Sequence, residues 1–173
     1  RSSICSGLPP GHVSPQLWGM TEDAPPSGRD LHLHEWTRDT GDETYLISTD
    51  RARLDVDMIH EFLTHSYWSP GIPREVVIRG IEHSFCFGLY RAESQIGFAR
   101  AITDYTSMAY LADVFVLPGH RGQGLGKWLV QCIVDCPSLK GLRTMSLATA
   151  DAHELYRCFG FEGLVSPEAH MSR

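Results

Sequence analysis

"LPGHRGQGLGKW", residues 117–128, places three glycines within five positions, directly after Arg121. It follows the apolar segment 108–116, which is typical of a strand, and leads into the helical spacing of 124–135. Backbone N–H groups at a helix N-terminus form an anion site that the helix dipole strengthens, and glycine keeps side chains out of it. The segment therefore predicts a strand–loop–helix unit that binds a phosphate or pyrophosphate. A glycine-rich turn with a helix cap and no ligand is the alternative.

Two common phosphate loops do not fit these residues. A P-loop needs Ser or Thr directly after its lysine, whereas Lys127 is followed by Trp128. The dinucleotide fingerprint needs a third glycine where Lys127 stands, and the surrounding elements lack its βαβαβ order. The sequence therefore indicates neither a P-loop nor a dinucleotide-binding loop.

The bulk composition indicates one soluble domain. The chain has 173 residues, 42% hydrophobic and 21% charged, which suffices for one substantial core. A net charge of −6 argues against a general nucleic-acid binder and is compatible with amine substrates. No apolar run reaches the roughly 20 residues that span a membrane, and no leader pattern opens the sequence. We therefore expect no membrane partner and a cytoplasmic protein.

The cysteines and histidines do not indicate a metal site. The five cysteines contain no Cys-x-x-Cys pair, and we expect buried thiols in a reducing compartment. The segment "HLHEW" (32–36) has two imidazoles, which are too few for a metal claim, and we interpret it as a surface segment. Residues 1–30 are rich in Pro, Gly and Ser. We expect there an N-terminal extension that is flexible, lies on the surface or is left over from production of the chain.

Residues 31–173 form the predicted domain, with regular patterning from Thr44 onward. The predicted order is a strand, two helices, three antiparallel strands, then alternating strands and helices. Asp55 is expected to cap the first helix and Pro73 to open the second. The segment 108–117 is expected to be a central strand covered on both faces, and "FEGLV" (161–165) a last strand. The predicted fold class is therefore α+β, with a mixed, largely antiparallel sheet flanked by helices in a single domain.

Two motifs in order resemble one known family. "RGQGLG" (121–126) is similar to the Arg/Gln-x-x-Gly-x-Gly/Ala signature of the GNAT superfamily of N-acetyltransferases, and "LADVFVLP" (111–118) looks like that family's fourth strand. "DAHELYRCFGF" (151–161) is similar to its C-terminal motif. Together they cover about residues 110 to 163. The resemblance implies an enzyme that uses acetyl-coenzyme A as co-substrate, without a metal, to acetylate a primary amine of a small molecule or peptide.

The resemblance also implies which residues hold the donor. The loop amides should bind the pyrophosphate, the strand before the loop should pair with the pantetheine arm, and one amide of that strand should stabilise the oxyanion of the thioester carbonyl. Thr149 stands where the family often has asparagine, and this departure affects one cofactor or product contact, which a hydroxyl can replace only in part. The predicted donor-binding residues are Phe115, Val116, Arg121, Gly122, Gln123, Gly124, Leu125, Gly126, Thr149 and Ala152.

Four residues are the candidates for catalysis and acceptor binding. Tyr156 stands where the family places a general acid for the leaving thiolate; a core tyrosine that anchors the last helix is the alternative. Asp113, a charge in an apolar strand, either serves the acceptor amine as base or ligand, or is structural. Tyr67 and Trp68 either form an aromatic wall for the acceptor or, for Trp68, fill the core.

Three functions stay open at this stage. The first is N-acetyl transfer by direct attack of the amine on the thioester. The second is a catalytically idle GNAT-like module that binds coenzyme A or a partner. The third is transfer of a longer acyl group. Dimers are common in this family, so a homodimer is compatible with the resemblance.

Overall fold

The computed structural model describes residues 33–171. The extension predicted for residues 1–30 and Cys5 lie outside the described residues. The described chain contains six strands and four α-helices, in the order β1 (Glu35–Asp39), β2 (Thr44–Ser48), α1 (Val56–Thr64), α2 (Arg74–Glu82), β3 (Phe85–Arg91), β4 (Ser94–Thr103), β5 (Met108–Val116), α3 (Leu125–Asp135), β6 (Thr144–Leu147) and α4 (His153–Arg157). Among these residues, no helix is both long and apolar enough to cross a bilayer.

The six strands form one sheet in sequence order, β1-β2-β3-β4-β5-β6. Every neighbouring pair is antiparallel except β5 and β6, which are parallel because α3 connects them as a crossover. This confirms the predicted α+β class with a mixed, largely antiparallel sheet and flanking helices.

Helices cover both faces of the sheet because the strand residues alternate between two apolar clusters. One cluster packs the first two helices against β4 and β5 and includes Ile59, Leu63, Val77, Ile81, Phe98 and Phe115. The other packs α3 against the opposite face and includes Tyr45, Phe87, Leu111, Leu129 and Ile133. The sheet is therefore fixed from both sides, and only its strand ends and connections are free to form a site.

The first two helices begin where the sequence indicates. Asp55 is the N-cap of α1, and its carboxylate accepts a hydrogen bond of 3.0 Å from the Met58 N–H. Pro73 is the N-cap of α2 rather than a residue of its first turn. The thiols of Cys86, Cys132 and Cys136 are buried, as predicted, whereas Cys158 is exposed.

Three expectations about strands are wrong. Within residues 33–171, regular structure begins at Glu35, not Thr44: the expected surface segment leads into β1, an edge strand whose side chains are alternately exposed and half-buried. No strand forms over 161–165, where Leu164 is 54% and Val165 98% exposed, because these apolar side chains find no core to cover. β5 is next to the edge rather than central, and only its far end is buried continuously.

The cap of α1 can be tested by replacing Asp55 with alanine. Loss of the bond to the Met58 N–H leaves an unpaired donor at the helix start, which should lower the free energy of unfolding by about 1 kcal/mol. Denaturant unfolding measures the change. Asp55→Asn keeps the acceptor oxygen and is the control; equal losses in both variants would show that the cap contributes nothing.

Candidate active site

A bulge in β5 opens the sheet at one end. Asp113 and Val114 of β5 lie opposite one residue of β4, Ala99, and Asp113 has a positive φ of 55°. Such a bulge bends the strand. Pairing of β5 with β6 ends at Leu111. From there to the end of β5, residues 112–116 have a strand of the described chain on the β4 side alone.

The main chain of Val116 faces this open edge. The Leu117 N–H donates to the Ile96 carbonyl of β4 at 2.8 Å, and successive residues of a strand point their backbone groups to opposite sides. The Val116 carbonyl accepts instead from the Nε of Arg121 at 2.9 Å. The Val116 N–H is therefore directed away from β4, where an extended ligand can pair with it.

The glycine loop directly after β5 is an open cradle of backbone amides. Gly122 and Gly124 have φ of 79° and 73°, and a side chain at either would meet no atom within 4 Å. Gly124 is the N-cap of α3 and its carbonyl receives the first helical bond, from the Trp128 N–H. The amides before Trp128 precede that bond and have no acceptor within the helix. The cradle therefore fits a diphosphate, as an N-terminal anion site does.

Besides Arg121, two further loop side chains are already engaged. The Leu125 side chain is 2% exposed and belongs to the core, so only its backbone remains for a ligand. The side-chain amide of Gln123 lies 2.8 Å from the hydroxyl of Tyr45, a buried residue of β2 that also donates to the Glu43 carboxylate. This contact fixes the loop to the far part of the sheet.

A cleft of about 450 Å³ lies beside the open edge of β5. Its walls come from the α1–α2 connection, from β5, and from the segment between β6 and α4. The lining residues are Tyr67, Trp68, Tyr110, Leu111, Ala112, Asp113, Val114, Ala148, Thr149, Ala150, Asp151, Ala152 and Tyr156.

Asp113 joins two walls of this cleft. One carboxylate oxygen, Oδ2, accepts from the Arg100 Nε at 2.5 Å, and the other, Oδ1, accepts from the Trp68 indole N–H at 3.3 Å. Arg100 also donates to the Ser84 hydroxyl at 3.1 Å. Because both oxygens are occupied, this arrangement favours a role in positioning Trp68 over proton abstraction. Trp68 is 40% exposed and does not fill the core.

Tyr156 lies on the opposite wall and is 8% exposed. Burial raises the pKa of its phenol to about 12, and the nearby Tyr67 and Asp151 raise this pKa as well. The hydroxyl is therefore protonated at neutral pH and is available as a donor in the cleft. Its ring also packs edge-on against Phe161 at 5.8 Å, so the two interpretations of this tyrosine, in the cleft and in the packing of α4, are compatible.

The segment before α4 is held by local hydrogen bonds. The Thr149 hydroxyl oxygen accepts from the Ala152 N–H at 3.1 Å and keeps its own proton for another partner. The Tyr67 hydroxyl donates to the Asp151 carboxylate at 3.1 Å and accepts from the Ala150 N–H at 3.3 Å. These contacts connect the α1–α2 connection to the start of α4 across the cleft.

The structure brings most of the predicted site residues to one end of the sheet. Phe115 is an exception, because its side chain lies in the core, where its ring stacks on that of Phe62 with 3.7 Å between the ring centroids. Sequence reasoning missed Arg100 and Asp151. Neither has a local signal in the sequence, because each meets its partner, Asp113 or Tyr67, only in the folded chain.

No group of three or more His, Cys, Asp or Glu side chains within residues 33–171 is arranged to hold a metal ion.

Comparison with known proteins points to one family. Residues 34–161 match the model described as the acetyltransferase (GNAT) family. A candidate acetyltransferase from Gibberella zeae is 36% identical over 144 residues, covering 70% of this chain and 78% of the fungal protein.

Solved structures agree with that match. A candidate GNAT acetyltransferase from Xanthomonas campestris pv. campestris matches with a TM-score of 0.72 at 43% identity, over 82% of this chain and 92% of that one. A candidate acetyltransferase from Clostridium acetobutylicum, solved with acetyl-coenzyme A, matches with a TM-score of 0.52 over 78% of this chain and 92% of that one. At 12% identity, this second likeness concerns the fold alone.

The raised pKa of Tyr156 can be measured by alkaline titration. A folded-state pKa of about 12, above the ordinary value of 10, means that this group's contribution to stability is complete below pH 10 and is lost as the pH rises through 12. The difference in tyrosinate absorbance between the wild type and Tyr156→Phe should therefore titrate near pH 12. A difference centred near pH 10 would place the phenol in solvent.

Proposed function

The chain belongs to the GNAT family of acetyltransferases, and from this premise we propose that it transfers the acetyl group of acetyl-coenzyme A to a primary amine of a small molecule or peptide. Members of the family bind acetyl-coenzyme A and pass its acetyl group to an amine. The proposal concerns this chain's own donor, acceptor class and catalytic residues.

One observation carries the proposal. The unpaired edge of residues 112–116 runs directly into the open amide cradle of 121–127, and the cleft begins where that edge begins. A ligand with an anionic diphosphate and an extended amide-bearing arm fits this order of features, because the cradle suits the anion and the strand edge suits the arm. The reacting end of such a ligand would lie in the cleft.

The chain's residues divide the work of the reaction. Acetyl-coenzyme A supplies an acetyl thioester, which becomes an amide when an amine nitrogen replaces the sulfur, the amine losing one proton and the thiol gaining one. The backbone N–H groups of β5 that face the open edge can donate to a carbonyl oxygen, as preorganised donors do for developing negative charge. Tyr156 is protonated at neutral pH and can give a proton or hydrogen bond to the sulfur.

The acceptor side is assigned to the α1–α2 connection. Tyr67 and Trp68 form its aromatic wall, with ring centroids 4.9 Å apart in an edge-to-face arrangement. Asp113 holds Trp68 in place through the indole N–H. The assignment of Asp113 as the base for the acceptor amine stays a prediction.

Donor binding and turnover together test the proposal. Calorimetry with coenzyme A should show saturable binding, and mixing acetyl-coenzyme A with a panel of primary amines should release free thiol. Binding without thiol release from any amine would support the coenzyme A–binding module instead. No binding at all would overturn the assignment.

Replacing Gly124 with leucine should abolish binding of coenzyme A. The side chain would project from the cradle at a φ of 73°, a conformation that costs L-residues about 1–2 kcal/mol. Coenzyme A at 100 times its Kd stabilises a protein by about 2.7 kcal/mol, and this shift should vanish in thermal unfolding of the variant.

Gly141→Leu is the matched control for the cradle variant. Gly141 has a φ of 78°, is equally open, and lies in a turn before β6 outside the loop. Both variants should lose similar stability, whereas only Gly124→Leu should lose the coenzyme A shift. An unchanged shift in Gly124→Leu would refute the position of the diphosphate.

Replacing Tyr156 with phenylalanine should lower kcat by about 10² while changing the KM for acetyl-coenzyme A little, because a general acid acts mainly on the chemical step. Steady-state kinetics measure both constants. Tyr90→Phe is the control: the Tyr90 hydroxyl is also buried but has no hydrogen-bond partner in the described chain, so its loss should leave kcat unchanged. An unaltered kcat in Tyr156→Phe would remove the acid role.

A further inference from the structure

As far as the described residues form them, the cleft walls carry carboxylates and aromatic rings but no basic side chain. Among the residues of 33–171 that line the cleft, the charged ones are Asp113 and Asp151, and none is lysine, arginine or histidine. A ligand with a carboxylate would therefore find no opposite charge on these walls. A cationic ligand would find two negative groups.

The carboxylates of Asp113 and Asp151 differ in whether a neighbouring cation balances their negative charge. Asp113 forms a salt bridge with Arg100, and its side chain is 9% exposed. Asp151 forms no salt bridge within the described chain; it accepts from the Tyr67 hydroxyl, a neutral donor, and it is exposed. The unbalanced negative charge of the cleft is therefore at Asp151.

Aromatic rings frame this charge. Tyr67 binds Asp151 directly, and Trp68 is fixed edge-to-face on Tyr67 by its own bond to Asp113. Ring faces attract ammonium groups, and rings held in place lose little freedom when they bind one. The cleft thus offers an ammonium group a site beside Asp151 and the aromatic rings.

Resting on the proposed function, we propose that the acceptor is a small aliphatic diamine: one amine takes the acetyl group, the other remains an ammonium against Asp151 and the aromatic wall, and no carboxylate is present. An amino acid of the same length would bring its carboxylate towards Asp151, and the described residues that line the cleft include no basic side chain to offset that negative charge.

Three candidate acceptors with the same chain length separate the effect of the second ammonium from the effect of a carboxylate. Cadaverine is a five-carbon diamine, lysine is cadaverine with an added carboxylate, and pentylamine is cadaverine without its second amine. We expect kcat/KM to be at least about fivefold higher for cadaverine than for either of the others, the size of one nearby charge in a solvated site. The preference should shrink as ionic strength rises, because salt screens exposed charges.

Asp151→Asn tests the position of the charge. This variant keeps an acceptor for the Tyr67 hydroxyl and should bring the cadaverine-to-pentylamine ratio of kcat/KM close to one. Asp42→Asn removes the same charge from the exposed β1–β2 turn and should leave the ratio unchanged. Lysine used as well as cadaverine, or a ratio that survives in Asp151→Asn, would overturn the inference.

Failure of this inference is distinguishable from failure of the proposed function. Binding of coenzyme A is measured first by calorimetry, and its absence refutes the proposed function itself. If coenzyme A binds but none of the three amines is acetylated, their affinities for the coenzyme A complex are measured in the same way. Tightest binding of cadaverine supports the diamine site, and equal or reversed affinities overturn it.

Discussion

The ion pair between Arg100 and Asp113 is the interaction on which the site depends. It anchors the one residue of β5 that has a left-handed conformation, at the point where two residues oppose one. A non-glycine residue rarely adopts this conformation, and aspartate is among the few that tolerate it. Hydrogen bonds from the Arg100 guanidinium and the Trp68 indole hold the Asp113 side chain in place. With the strand bent at this residue, the sheet parts, and the edge, cradle and cleft meet at one end.

The two halves of the site have different structural origins. The proposed donor half is mostly main chain: the N–H of Val116 and the amides at the start of α3 need only correct backbone conformation. The acceptor half is mostly side chains from the α1–α2 connection. Residues such as Leu125 and Phe115 serve the donor half from inside the core, where they hold the backbone in place.

The sequence predicted what depends on local rules and missed what depends on pairing. The loop, the start of α3 and the cap at Asp55 follow from glycine, helix spacing and a carboxylate, so they could be recognised. The bulge at Asp113 could not, because an extra residue in a strand leaves no local mark and its partner Arg100 is 13 positions away. The "FEGLV" segment failed for the opposite reason, since it has strand-like composition but no sheet to join.

The same limits apply to the charges of the cleft. Asp113 stood out as a carboxylate in an apolar strand, yet its pairing with Arg100 depends on the β4–β5 register. Asp151 looked like an ordinary residue before a helix. Its place opposite Tyr67 arises only when two segments 84 positions apart come together.

The hydrogen bond from the Trp68 indole N–H to Asp113 has a consequence for the evolution of the protein. The aromatic lining lies on the connection between α1 and α2. Within the described chain, the bond to Asp113 is the one hydrogen bond that joins Trp68 to β5. On the proposed function, substitutions in this connection can therefore alter which acceptors bind while the coenzyme A site stays intact. Acceptor choice would diversify faster than donor choice.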